Sequence, residues 1–88
     1  MKNTAFNKSG GEPLYRQVSV ALLERIKAGD WPVGAILPKE IDLAKLLGVS
    51  RVTLRQALGI LENGGVVHRV RKVGTKVITA GMGEPYVP

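Results

Sequence analysis

The sequence of 88 residues contains no cysteine. Disulfides and thiolate-held metal sites are therefore excluded, and the composition fits a reducing compartment such as the cytoplasm. Aromatic residues are scarce: Phe6, Tyr15, Trp31 and Tyr86 make up the whole set. Such a scattering gives no base-stacking platform of the kind that binds single strands. No apolar run approaches membrane-spanning length, and no apolar segment of the signal-peptide kind follows the start. Acidic residues are in deficit, 7 Asp and Glu against 13 Lys and Arg, which leaves a formal charge of +6 and points to an anionic partner. There is a single histidine, His68. It reads as a surface or strand-packing residue ahead of a ligand or pH sensor. No nucleophile–base pair, glycine-rich phosphate loop or metal-ligand cluster is present. Catalytic residues, a cofactor and a bound metal are accordingly not expected.

A chain of this length makes one small domain, which buries only about 60% of the surface its unfolded state exposes. The excess positive charge is unevenly placed. From residue 51 to residue 76 stand Arg51, Arg55, Arg69, Arg71, Lys72 and Lys76 against one acid, Glu62. Between Glu12 and Asp42 the signs roughly balance.

Residues 1–11 are polar and read as a disordered N-terminal arm. Residues 13–28 read as a first helix. Pro13 suits the first helical position, and Leu14, Val18, Leu22 and Ile26 recur every four residues as a buried stripe flanked by Ala21 and Leu23. Gly29 ends it and Pro32 forbids its continuation. Trp31, in the connector, reads as a packing anchor, and residues 35–37 as a possible short strand. Residues 39–47 form a second helix with Leu43, Ala44, Leu46 and Leu47 on its apolar face.

The run from Ala44 to Arg55 is the densest signal. Ala44 allows close helix approach, Gly48 breaks the second helix, and Ser50 caps a third that extends to about residue 63. Leu54, Ala57, Leu58 and Leu61 give the third helix its core stripe. At about 100° per residue, Val52, Gln56 and Gly59 face away from that stripe, with Arg51 and Arg55 between. Arginines one turn apart at the start of a second helix suit a recognition helix in a DNA major groove. An outward valine fits against a thymine methyl group there, and equally fits a plain exposed side chain.

Gly64-Gly65 closes the third helix. Residues 66–71 read as a strand, 72–74 as a turn and 75–79 as the return strand. The expected fold is mainly α with a small β wing: a three-helix winged helix-turn-helix over residues 12–79. The wing carries Arg71, Lys72 and Lys76 towards phosphates or a minor groove. Residues 80–88 have two Gly and two Pro without periodicity and read as a linker or tail towards an absent domain.

Over residues 13–79 the chain resembles the N-terminal domain of GntR-family bacterial transcription regulators. Leu14-Tyr15-Arg16-Gln17-Val18 is similar to the family's L-Y-x-Q-I opening, and Gly29 to Gly34 to its G-x-x-x-x-G loop. The segment from Leu47 to Leu58 matches L-G-V-S-R-x-T-V-R-x-A-L. Leu61 to Val67 resembles L-E-x-x-G-L-V, and Gly74-Thr75 the wing G-T. The resemblance implies a cytoplasmic, metabolite-responsive repressor that binds palindromic double-stranded operator DNA as a homodimer. A small-molecule effector would bind the absent C-terminal domain, and this piece alone would be a monomer or weak dimer. By the same resemblance Ser50, Arg51, Thr53 and Arg55 carry DNA contacts, while Gly74 and Thr75 shape the wing. With the residue-level reading, the candidate DNA-binding set is Lys39, Ser50, Arg51, Val52, Thr53, Arg55, Gln56, Arg71, Lys72, Gly74, Thr75 and Lys76.

Three positions depart from the family pattern. Lys39 stands where a capping Ser is usual, Ile41 where an arginine often contacts DNA, and Lys72 where the wing often has glycine. They imply an operator unlike the family's commonest ones. Two other classes of function stay open at this point. The outer face with Val52 and Ile41 could meet an acidic protein. Some relatives also fuse this domain to an aminotransferase-like, pyridoxal-phosphate-binding partner.

Overall fold

Each helix forms where an apolar stripe can be buried and stops where a glycine can reverse the chain. A computed structural model describes residues 12–79. The expected N-terminal arm and the tail at 80–88 lie outside the described residues. Helix α1 spans Leu14–Lys27, α2 Glu40–Leu47 and α3 Arg51–Asn63; strands β1 (Val67–Val70) and β2 (Gly74–Val77) follow. Val18, Leu22 and Ile26 of α1 are sealed against Leu54, Ala57, Leu58 and Leu61 of α3, with Leu43, Ala44 and Leu47 of α2 completing the same core. Trp31 and Val49 pack on its margin.

Pro13 sits one residue earlier than expected. It is the N-cap of α1, and its carbonyl accepts from the backbone N–H groups of Arg16 and Gln17. The expected apolar face of α2 also needs one correction, because Leu46 is 54% exposed. The buried arc of Leu43, Ala44 and Leu47 is centred beyond Leu43, and at about 100° per residue this turns Leu46 more than 100° away from it.

The turn between α2 and α3 depends on Gly48, which takes φ +72. Its N–H reaches the Lys45 carbonyl at 3.2 Å and the Val49 N–H reaches the Ala44 carbonyl at 3.0 Å. This paired pattern satisfies the last carbonyls of α2 and folds Val49 back onto the core. Three residues after Leu47, Ser50 opens α3 with extended φ and ψ.

The wing is an antiparallel pair with Val67 opposite Val77 and Val70 opposite Gly74. β1 is shorter than expected at both ends, and β2 begins one residue earlier and ends two residues earlier than expected. Val66 is buried but lies before β1, its N–H bonded to the Leu61 carbonyl and its own carbonyl taken by the N–H groups of Ile78 and Thr79. Arg71 belongs to the turn and Gly74 already to β2. The expected strand at 35–37 is reduced to one bridge between Ile36 and Lys76, with the Leu37 N–H donating to the Thr75 carbonyl at 2.8 Å. That bridge covers the outer edge of β2 and fixes the wing to the connector before α2. Buried Val67 and Val77 bind the wing to the helical core.

Candidate nucleic-acid interface

The residues of the candidate set are presented by the start of α2, the first turns of α3, and the wing turn with the strand β2 that follows it. Ser50 accepts from the Thr53 N–H at 3.0 Å and donates its hydroxyl to Thr53 Oγ1 at 3.0 Å. A cap of this kind contributes about 1 kcal/mol to a helix. Here it also aligns two hydroxyls at the positive end of α3, where phosphate oxygens are favoured. Arg51 and Arg55 follow on the next turn and are exposed, as are Val52 (67% exposed) and Gln56.

Lys39 is the N-cap of α2 and makes no side-chain cap bond, so its ammonium is not tied to the helix it begins. Glu40 and Asp42 in the first turn oppose the helix dipole in its place. Glu40 has a second partner across the helix pair: its Oε1 lies 3.6 Å from Arg55 Nε. Sequence reasoning missed this contact. The two residues are 15 positions apart, and only the packing of α2 on α3 brings them together.

In the wing turn, the Val73 N–H bonds to the Val70 carbonyl at 3.0 Å, and Lys72 adopts φ +67. It is the one residue other than glycine in the left-handed region among the described residues. A side chain there costs about 1–2 kcal/mol relative to the right-handed form. A cation thus occupies a backbone conformation that favours glycine. Lys72→Gly is expected to raise stability by up to about 1 kcal/mol in a denaturant titration. The same change is expected to make the salt dependence of DNA binding shallower by about one charge. Gly74 cannot be exchanged in this way. It takes φ +128, and a Cβ added to it would lie 2.9 Å from Ile36 Cγ2.

Thr75 does not face outwards with its neighbours. It is 8% exposed, its carbonyl accepts from the Leu37 N–H at 2.8 Å to tie the wing to the connector, and it is one of the residues that line the groove between the wing and α2. Lys76 is exposed on β2 opposite His68.

Arg69 belongs to the basic run in sequence but is turned to a structural use. Its Nε lies 3.3 Å from Glu62 Oε1, its backbone N–H donates to Glu62 Oε2 at 3.2 Å, and its Nη2 donates to the Arg55 carbonyl at 3.1 Å. The guanidinium passes over Gly59 of α3, where an added Cβ would stand 3.6 Å from Nη2. Arg69 therefore pins β1 to α3. His68 Nδ1, 3.7 Å from Glu62 Oε2, adds to the same carboxylate.

The ion pairs sort the remaining cations. Arg16, Arg25, Arg55 and Arg69 each face an acid. No ion pair among the described residues involves Lys27, Lys39, Lys45, Arg51, Arg71, Lys72 or Lys76; Lys27 lies in the last turn of α1 and Lys45 in that of α2, and the other five stand at the starts of α2 and α3 and in the wing. Between the wing turn and the starts of α2 and α3 opens a groove of about 650 Å³ lined by Lys39, Ile41, Arg51, Val73 and Gly74, among others. The structure thus brings Lys39, Arg51, Gly74 and Thr75 to one place. Val52 and Gln56 remain on the outer face of α3, outside the groove.

The model of bacterial regulatory proteins of the gntR family matches residues 14–77. The chain belongs to the GntR family. The HTH-type transcriptional regulator GgaR of Escherichia coli K12 is 43% identical over 65 residues, which are 74% of this chain and 26% of that protein. The HTH-type transcriptional repressor NagR of Bacillus subtilis is 39% identical over 71 residues, 81% of this chain and 29% of NagR. The chain therefore spans little more than a quarter of the length of these relatives. Among solved structures, AraR(DBD) in complex with operator ORX1 is similar with a TM-score of 0.72 and 30% identity, covering 86% of this chain and 92% of that one. The three-helix winged helix-turn-helix expected from the sequence is the fold observed, and a GntR family transcriptional regulator from Listeria monocytogenes is similar to it with a TM-score of 0.73 and 26% identity, covering 80% of this chain and 61% of that one.

Proposed function

We propose that this GntR domain binds double-stranded DNA sequence-specifically, with α3 in the major groove and the wing at the minor groove or the backbone. The observation that carries this reading is the placement of the cations without ion-pair partners. Five of the seven, Lys39, Arg51, Arg71, Lys72 and Lys76, stand at the start of α2, the start of α3 and the wing, and the one carboxylate among the groove's lining residues, Glu40, is paired with Arg55. Arg51 and Arg55 are the base readers, since a guanidinium can fork onto guanine O6 and N7. Ser50, Thr53 and Lys39 hold phosphates, Val52 and Gln56 face base edges, and Arg71, Lys72 and Lys76 meet the backbone or minor groove beside them. Gly74 and Thr75 set the shape of the wing. The similarity to AraR(DBD) in its operator complex supports this arrangement.

The whole protein is a cytoplasmic transcription regulator that represses as a homodimer on a palindromic operator, with no catalytic step. The greater length of its relatives supports a C-terminal domain that takes the small-molecule effector. In this reading the domain alone binds more weakly than the linked dimer, because its two half-sites are not joined. Selection from a randomised duplex pool tests the proposal. An enriched motif with two-fold symmetry is expected; a pool that returns no motif contradicts it.

A further inference from the structure

The groove between α2, α3 and the wing combines two chemistries. Ile36, Ile41 and Val73 offer it apolar surface and are 42%, 46% and 57% exposed. Lys39 and Arg51 line it with positive charge and are in no ion pair among the described residues, while the lining carboxylate of Glu40 is held by Arg55 at 3.6 Å, which leaves the groove net positive. Apolar side chains left in water gain when another surface covers them. The unpaired cations require that surface to be anionic as well.

The position of the groove selects the occupant. It lies between the start of α3 and the wing turn. The major and minor grooves of a duplex are separated by a single sugar-phosphate strand. A protein that places α3 in one and its wing in the other must let that strand pass between them, which is through this groove. A deoxyribose-phosphate strand has matching chemistry: sugar C–H surface alternating with phosphate.

We propose that the groove seats one deoxyribose-phosphate strand, with its sugar C–H surface on Ile36, Ile41 and Val73 and its phosphate on Lys39, while Arg51 keeps its contact with a base. The proposal rests on the DNA-binding reading and assigns Ile41 a role that its family position, usually arginine, does not have. Two consequences follow from the chemistry. Every nucleotide carries a sugar, so this contact adds affinity without base preference. A ribose would turn its 2′-hydroxyl onto aliphatic side chains, where it loses hydration without gaining a hydrogen-bond partner, so the seat selects deoxyribose.

The test uses Ile41→Ser alone and the double variant Ile41→Ser/Val73→Ser, with thermal melts to show that each is folded. Affinity is measured for the selected duplex and for a scrambled duplex at several salt concentrations. Both affinities are expected to fall roughly tenfold for the double variant, and less for the single one, because apolar contact is lost. The salt dependence stays unchanged, since no charge is removed. Single ribonucleotides are then moved stepwise along the selected duplex. The wild-type domain is expected to lose binding several-fold at one position per half-site, and the double variant to lose little there. Full binding by a folded double variant overturns the proposal. So does a loss confined to the selected duplex and reproduced by replacing one thymine with uracil, which would make Ile41 a base reader. A wild-type domain that binds neither duplex overturns the DNA-binding reading itself, and this inference with it.

Discussion

Replacing Arg51 and Arg55 together by alanine is expected to weaken binding to the selected operator by about a hundredfold or more, since each good bidentate base contact discriminates by about 1–3 kcal/mol. Binding to unrelated duplexes should fall much less, because Lys39, Arg71, Lys72 and Lys76 still meet phosphates. Both arginines are exposed, so the fold is not at stake. The two single variants should differ. Arg51 is free of ion pairs among the described residues, whereas Arg55 must leave Glu40, 3.6 Å away, or share its guanidinium between that carboxylate and a base. Part of what Arg55 gains on DNA is offset by that separation, so Arg51→Ala is expected to cost more than Arg55→Ala. Titrations of the three variants against the selected and scrambled duplexes measure this. Equal, unchanged affinities would remove these residues from the site.

Leu54→Ala should destabilise the domain by about 2–5 kcal/mol, as truncation of a sealed core leucine does. Leu54 is 0% exposed and sits at the meeting point of the α1 and α3 stripes. Small domains hold only about 5–15 kcal/mol in total, so this variant should melt about 10 °C or more below the wild type. Val52, two residues earlier on the same helix, is 67% exposed. Val52→Ala should leave stability within about 0.5 kcal/mol and yet alter which operators are preferred. Melting curves of the two variants side by side check the assignment of inner and outer faces. A stable Leu54→Ala protein would mean that the α3 stripe is not the core.

The core helices were readable in the sequence because burial imposes a period. Val18, Leu22 and Ile26 recur every four residues, and Leu54, Ala57, Leu58 and Leu61 repeat the helical spacing; all are enclosed. Gly48 and Ser50 were readable because their side-chain chemistry meets a local backbone need. Leu46 misled because its spacing from Leu43 suits a helix face, and only the direction of the neighbouring helices decides which arc is buried. The site was readable in its residue types and less so in their partners. Glu40 with Arg55, and Glu62 with Arg69, are brought together by the packing of elements, which leaves no periodic trace. Arg69 stands in the basic run outside the candidate set, and only the packing shows that it clamps the wing to α3. The groove itself was invisible, since Ile36, Ile41 and Val73 come from three separate segments. Lys72 was recognised as a departure, but its left-handed backbone only appears once the wing turn is built.

The measurement closest to the central claim is the salt dependence of binding to the selected duplex. The four cations assigned to phosphates, Lys39, Arg71, Lys72 and Lys76, predict a log–log slope of about −3 to −4 in salt concentration, from about −0.9 for each phosphate neutralised. A slope in that range, together with a selected motif, is the expected result. A slope shallower than about −2 would mean that these side chains do not converge on phosphates, and would contradict the assignment of this face as the DNA interface.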